Sequence, residues 1–186
     1  MNPEKTQRLK EILLAYSHEA REVTLASGRK SSFYFDGKQT TLHPEGLSLV
    51  AEGMLELVLL HFPECQAVGG PTLGADPLTA GVVMQSWRNS SPLHGFIVRK
   101  NPKGHGTRAW IEGAKHLRLG MRVVLLEDVI TTGGSLIRAC EKVRAAGLVP
   151  KGVVVLVDRE EGGREALEAE GLKVFSLFRK SELLNG

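Results

Sequence analysis

An α/β fold with a doubly wound, mostly parallel sheet is the class this sequence predicts, and three observations carry that expectation. Val123 to Leu126 and Val153 to Val157 are continuously apolar, as strands buried on both faces must be. Stretches with helical periodicity stand between such runs, and strands alternating with helices form a parallel sheet through right-handed crossovers. Turns rich in Gly, Thr and acidic residues follow several strands, at the edge where open α/β sheets bind ligands.

Along the chain, residues 4–17 carry Leu9, Ile12, Leu13 and Tyr16 at helical spacing, which predicts an amphipathic helix packed outside the sheet. Residues 22–36 read as a short strand, a Ser-Gly turn and a second strand through Phe33, Tyr34, Phe35 and Asp36. A helix is expected from Pro44 to about His61, because Pro-Glu is a helix-start signal. Residues 67–70 form a strand ending in a Gly turn, and 77–89 the helix after it. Residues 94–100 form the next strand, followed by a basic Gly/Pro loop and a short strand within 109–113. The run 123–126 is a strand with Glu127 and Asp128 at its carboxyl end, and a helix covers 136–146. Another buried strand exits at Asp158 and Arg159, a helix follows over 164–171, and a last strand spans 173–178. No repeat, low-complexity tract or linker interrupts this order, so residues 1–186 are expected to be one domain.

A chain of 186 residues can bury roughly 70% of its unfolded surface without a staple. Cys65 and Cys140 are isolated, with neither CxxC nor Cys/His spacing, so no disulfide framework or zinc site is indicated. Both are expected to behave as small buried hydrophobes. No apolar stretch reaches the roughly 18 residues of a membrane span, and the N-terminus lacks the apolar core of a signal peptide, so a cytoplasmic enzyme is expected. The net charge of +3 is mild, but Arg99, Lys100, Lys103, His105 and Arg108 fall close together among Pro102, Gly104 and Gly106. Such a run is either a solvated loop or a mobile cationic arm for an anionic substrate.

The segment RVVLLEDVITTGGS, residues 122–135, carries the most chemistry. It runs a strand into two acids and then into Thr131, Thr132, Gly133, Gly134 and Ser135, hydroxyls and open backbone N–H groups just before a helix. A helix start of this kind binds anions. Neither the P-loop pattern nor the dinucleotide pattern is present. Carboxylates beside a phosphate cradle suit a ligand with a monophosphate at one end and hydroxyls and a divalent metal next to it, as in ribose 5-phosphate. Strand-to-helix turns of a parallel sheet open on one edge, so 69–77, the basic loop, 127–135 and 158–163 are expected to build one pocket.

This segment resembles the phosphoribosyl-pyrophosphate (PRPP) motif of the type I phosphoribosyltransferases. The resemblance implies their fold, a small hood formed by about residues 1–40 with the C-terminal segment, and a PRPP site with Mg²⁺ carried mainly by PRPP and pyrophosphate, no metal ligand set being assigned to the chain. It places Glu127, Asp128, Val129, Ile130, Thr131, Thr132, Gly133, Gly134 and Ser135 at PRPP.

Further segments are similar to the orotate phosphoribosyltransferase family. VTLASGRKSSFYFD, residues 23–36, resembles its Ser-Gly-x-x-Ser turn and aromatic pair, which implies that Tyr34 and Phe35 lie against the pyrimidine. VRKNPKGHGT, residues 98–107, resembles its catalytic loop, implying that Arg99, Lys100, Lys103 and His105 bind pyrophosphate, partly across a dimer interface, with Lys103 as main loop catalyst. His105 is read as a ligand to pyrophosphate, and Lys103, His105 and Asp128 are the catalytic set. LVDREEGG resembles the exit turn whose Arg contacts orotate, here Arg159, with Thr131 reaching the base from the PRPP loop. A planar guanidinium suits a carboxylate beside a carbonyl, while the plainer reading of Arg159 is a surface ion pair with Glu160 or Glu161. Ala26 and Gly74 stand where some members have lysines, and Lys30 or Lys38 could compensate. The resemblance implies a homodimer with shared sites and neither nucleic acid nor membrane as partner. The rival readings are a transferase for another nucleobase and a PRPP-binding regulator of the same fold.

Overall fold

The computed structural model describes residues 1–19, 34–102 and 110–184, together with the backbone of 23–24 and 30–31. The predicted positions Ala26, Lys103, His105 and Arg108 and the Lys30 side chain lie outside the described residues. At its centre is a six-stranded sheet made of β5 (Ala67–Pro71), β6 (His94–Val98), β7 (Ile111–Glu112), β8 (Arg122–Ile130), β9 (Val149–Asp158) and β10 (Lys173–Arg179). Their order is β10-β9-β8-β5-β6-β7, parallel throughout except for the antiparallel edge strand β7. This is the predicted α/β class.

Alternate residues of each strand feed two separate cores. Val124 and Leu126 face one with Val154 and Leu156, covered by α1 (Pro3–Ile12), α3 (Pro44–His61) and α4 (Ala75–Arg88). Val123 and Leu125 face the other with Val153 and Val155, covered by α5 (Gly134–Ala145) and α6 (Gly163–Ala169). That two-sided burial is why the strands read as unbroken apolar runs. The helix α3 has the bounds the sequence predicts: Pro44 occupies its first turn, and His43 Nδ1 accepts from Gly46 N–H at 3.2 Å as the cap.

The N-terminal region departs from expectation in detail. α1 stops at Ile12 and passes into a wider π turn, Leu13–Ser17, where Ser17 Oγ meets Thr40 Oγ1 at 2.7 Å in a buried contact. β1 (His18–Glu19) pairs with β4 (Tyr34–Phe35), while β2 (Val23–Thr24) pairs with β3 (Lys30–Ser31). The short helix α2 (Gly37–Thr41), which the sequence reading lacks, starts at Asp36, whose carboxylate accepts from Lys38 N–H at 3.2 Å. A last helix, α7 (Lys180–Leu184), buries Leu183 and offers the Glu182 carbonyl to Lys10 Nζ of α1 at 2.6 Å. β6 ends at Val98, two residues short of the expected strand. Among the described residues no helix is long and apolar enough to cross a membrane.

Candidate active site

β8 runs four residues past its expected end, so Glu127 and Asp128 lie inside the strand. β9 pairs with it up to Ile130, but β5 accompanies it only as far as Leu125. Beyond Leu125 the β5 side of the strand faces the β5–α4 turn, and the acids open there. Both are nearly buried, at 7% and 8% exposure. Asp128 Oδ1 accepts from Val129 N–H at 2.9 Å, and Glu127 Oε1 from Asp128 N–H at 3.2 Å. Burial, and then the adjacent Asp128 carboxylate, push the Glu127 carboxyl well above the usual range. Such a pair invites a cation or hydroxyl donors.

Glycine keeps the approach to these acids open. A Cβ on Gly74 would stand 2.5 Å from Asp128 Oδ1 and 2.6 Å from Glu127 Oε1, and one on Gly37 2.8 Å from Asp128 Cβ. Gly74 therefore sits against the acid pair, where any side chain would displace it. Lys38 reaches in from α2, with Nζ 2.5 Å from Asp36 Oδ1 and 3.9 Å from Asp128 Oδ2. Its bond to Asp36 raises its pKa. Thr72 Oγ1 bonds Asp76 Oδ2 at 2.8 Å within the β5–α4 turn, whose residues 72–76 include no cation. Among the described residues no three His, Cys, Asp or Glu side chains gather to hold a metal by themselves. Two carboxylates beside an open face are oxygen donors of the kind Mg²⁺ shares with phosphate ligands.

After Ile130 the chain turns through Thr131, Thr132 and Gly133 into α5. Gly133 adopts φ 78°, and α5 begins with no acid in its first turn, leaving its N–H groups to an anion. At this turn Thr132 and Ser135 are exposed and Thr131 is half-buried. Val129 is half-buried, whereas the Ile130 side chain is in the core and its carbonyl accepts from Arg159 N–H at 3.0 Å. That bond ties the β9 exit to the β8 exit. Arg159 is 6% exposed and pairs through Nη2 with Glu161 Oε1 at 2.8 Å, so the anticipated ion pair forms, but in a buried setting. Tyr34 is half-buried and close enough to Lys38 to raise the lysine's pKa, while Phe35 is packed in the core.

The basic segment is described only in part. Arg99 forms an ion pair with Glu112, and its Nε donates to Asn101 O at 3.0 Å; Lys100 is exposed. From α5, Lys142 Nζ donates to Arg99 O at 3.0 Å and stands 3.9 Å over the Trp110 ring. A cavity of about 220 Å³ lies between the β5 turn, the end of β6 and α5, lined among others by Thr72, Arg99, Lys100, Ser135, Arg138 and Lys142. The sequence reading missed Arg138 and Lys142. Their signal was the polar face Ser135, Arg138, Lys142 at helical spacing, opposite the apolar stripe Leu136, Cys140, Val143.

Known proteins resemble this chain in sequence and fold. A phosphoribosyl transferase domain model matches residues 91–175. The chain is 48% identical over 179 residues to an orotate phosphoribosyltransferase from Rhodopseudomonas palustris, covering 95% of each. The Mycobacterium tuberculosis orotate phosphoribosyltransferase in complex with Fe(III) dicitrate superposes with a TM-score of 0.84 at 37% identity, over 98% of this chain and 99% of the other. The same enzyme in complex with PRPP superposes with a TM-score of 0.79 at 35% identity, over 97% and 99%.

Proposed function

Because the chain belongs to the orotate phosphoribosyltransferase family, we infer that it transfers the 5-phosphoribosyl group of PRPP to orotate, a step of pyrimidine biosynthesis. The products are orotidine 5'-monophosphate and pyrophosphate. A bond forms between the orotate ring nitrogen and C1 of the ribose as the C1–O bond breaks, pyrophosphate leaving with the bonding electron pair and taking up the proton the ring nitrogen gives up. The observation that carries this reading is the joined pair of strand exits, a phosphate cradle on β8 bonded to the Arg159 turn of β9.

In this reading Thr131 to Ser135 hold the 5-phosphate on backbone N–H groups and hydroxyls, with Val129 and Ile130 supplying backbone. Glu127 and Asp128 meet the ribose hydroxyls, and the Asp128 charge also stabilises an oxocarbenium-like C1. Arg99, Lys100, Lys103 and His105 meet the charge growing on pyrophosphate; loss of one such stabiliser commonly costs about 3 to 4 kcal/mol. Arg159 engages the orotate carboxylate with Thr131 and Tyr34 at the ring, and Phe35 supports Tyr34 from the core. Mg²⁺ would be carried by PRPP against the acid pair and would neutralise diphosphate charge.

The free thiols Cys65 and Cys140, both raised to about 11 chiefly by burial, fit a reducing compartment such as the cytoplasm. A homodimer with a shared loop completes the reading. Steady-state assays with PRPP should show orotate consumed and adenine, guanine and uracil untouched; turnover of one of these in place of orotate would sink it. Mixing inactive Lys103→Ala and Asp128→Ala chains should restore activity if sites are shared between subunits.

A further inference from the structure

We infer that Arg138 and Lys142 of α5 bind the diphosphate group of PRPP and of the pyrophosphate product, completing a pocket that Arg99 and Lys100 begin. This deepens the phosphoribosyl-transfer reading and rests on it. The turn 72–76 contains no cation but does contain Asp76, and its Gly74 is pressed against two carboxylates. A diphosphate beside this turn must therefore find its positive charge elsewhere. The adjoining cavity of about 220 Å³ supplies it: among the described residues its lining includes four cations and no carboxylate.

Of those four, Arg99 alone has a carboxylate partner among the described residues, Glu112. Among the described residues Lys100 and Arg138 form no ion pair, and Lys142 spends its ammonium on a carbonyl and a ring, which cancel no charge. Burial, and then the charge of Arg138, lower the Lys142 pKa, a tension that a bound anion relieves. The contacts to Arg99 O and Trp110 hold the ammonium in place before any ligand arrives. A position in the last turn of α5 suits Lys142 for dipole reasons alone. Arg138, a turn earlier, has no such role. The cavity is also the right size and in the right place: it has the volume of roughly seven waters, enough for a diphosphate with some of its hydration. Its walls carry Thr72 from the β5 turn and Ser135 from the turn that holds the 5-phosphate.

The test is calorimetric titration of the whole chain with inorganic pyrophosphate, repeated for Arg138→Ala, Lys142→Gln and the double variant. Each single change should weaken pyrophosphate binding roughly tenfold, the loss of one charge-assisted contact, and the double change more. Binding of orotidine 5'-monophosphate, which has a phosphate but no diphosphate, should hold. Wild-type affinity for pyrophosphate in Arg138→Ala and in the double variant overturns the inference. So does an equal loss for orotidine 5'-monophosphate or for inorganic phosphate, which would assign the two residues to a single phosphate. The Lys142→Gln variant keeps the stem over Trp110, and Arg138 is exposed, so folding is preserved. The titration reads the pocket whether or not orotate is the acceptor, so failure of this inference and failure of the reaction assignment remain distinguishable.

Discussion

The exits of β8 and β9 are built alike and used differently. Each strand carries acid near its exit, Glu127 and Asp128 in β8 and Asp158 in β9, turns through a left-handed glycine, Gly133 at φ 78° or Gly162 at φ 89°, and enters a helix. At the β9 exit the charges are consumed internally. Asp158 is 2% exposed, takes Arg164 Nε at 2.9 Å and accepts from Glu160 N–H at 2.9 Å. Glu160 in turn accepts from the Ser181 N–H and hydroxyl, and Arg159 meets Glu161. At the β8 exit, among the described residues, Glu127 and Asp128 meet backbone N–H donors, each other's side chain and a Lys38 ammonium 3.9 Å from Asp128, with no closer cation. Matched charges make a scaffold, whereas charges left open make a binding site, because a ligand then supplies the missing partner.

The largest way to break this contrast is Asp128→Asn. Turnover with orotate and PRPP should fall roughly 10²- to 10³-fold, with the thermal midpoint held or raised, because the buried carboxylate that crowds Glu127 is gone. A small loss with a lowered midpoint would make Asp128 scaffold like Asp158. Next is Arg164→Ala, which strands the Asp158 carboxylate and should cost about 3 kcal/mol of stability in urea denaturation while leaving turnover of the folded chain nearly intact. The reverse pattern would add the Asp158–Arg164 pair to the chemistry in which Arg159 already takes part.

A finer test sets the two glycines against each other. A Cβ at Gly162 meets nothing within 4 Å, so Gly162→Ala should cost only the left-handed strain, about 1 to 2 kcal/mol. At Gly133 the Cβ would stand 2.9 Å from the Gly163 carbonyl, and both turns would have to shift. Gly133→Ala should therefore be the more destabilising and should also weaken PRPP binding; equal costs would show that the turns do not depend on each other.

The smallest effect concerns pH. With the folded pKa of Glu127 raised, the unfolded chain loses this proton first, near 4.5. Stability of the unliganded chain should then fall as pH rises from there and level off above the raised value. Glu127→Gln should flatten that slope and raise stability relative to the wild type at the alkaline end. An unchanged slope would show that Glu127 ionises normally.

How far these features were legible in the chain varies with their range. The helix over 44–61 was readable to the residue, because Pro44 starts it within one local stretch. The length of β8 was not, since a strand continues through acids only when a neighbour pairs with it, and Val155, Val157 and Asp158 of β9 do so. Phe35 and Tyr34 read as one aromatic pair, yet alternation in β4 sends Phe35 into the core. α2 was missed because five residues show no periodicity, and its cap, Asp36, looks in sequence like the end of a strand.

The alternation of elements, the anion-binding turn after β8 and the residue types around it follow from local patterning and side-chain chemistry, which need no knowledge of neighbours. Which charges stay open could be decided only by packing. β5 stops accompanying β8 at Leu125 and exposes the acids, Gly74 and Gly37 close on them, and α5 turns Arg138 and Lys142 toward the end of β6. Whether a charge is matched depends on distances of a few ångströms between segments far apart in the chain.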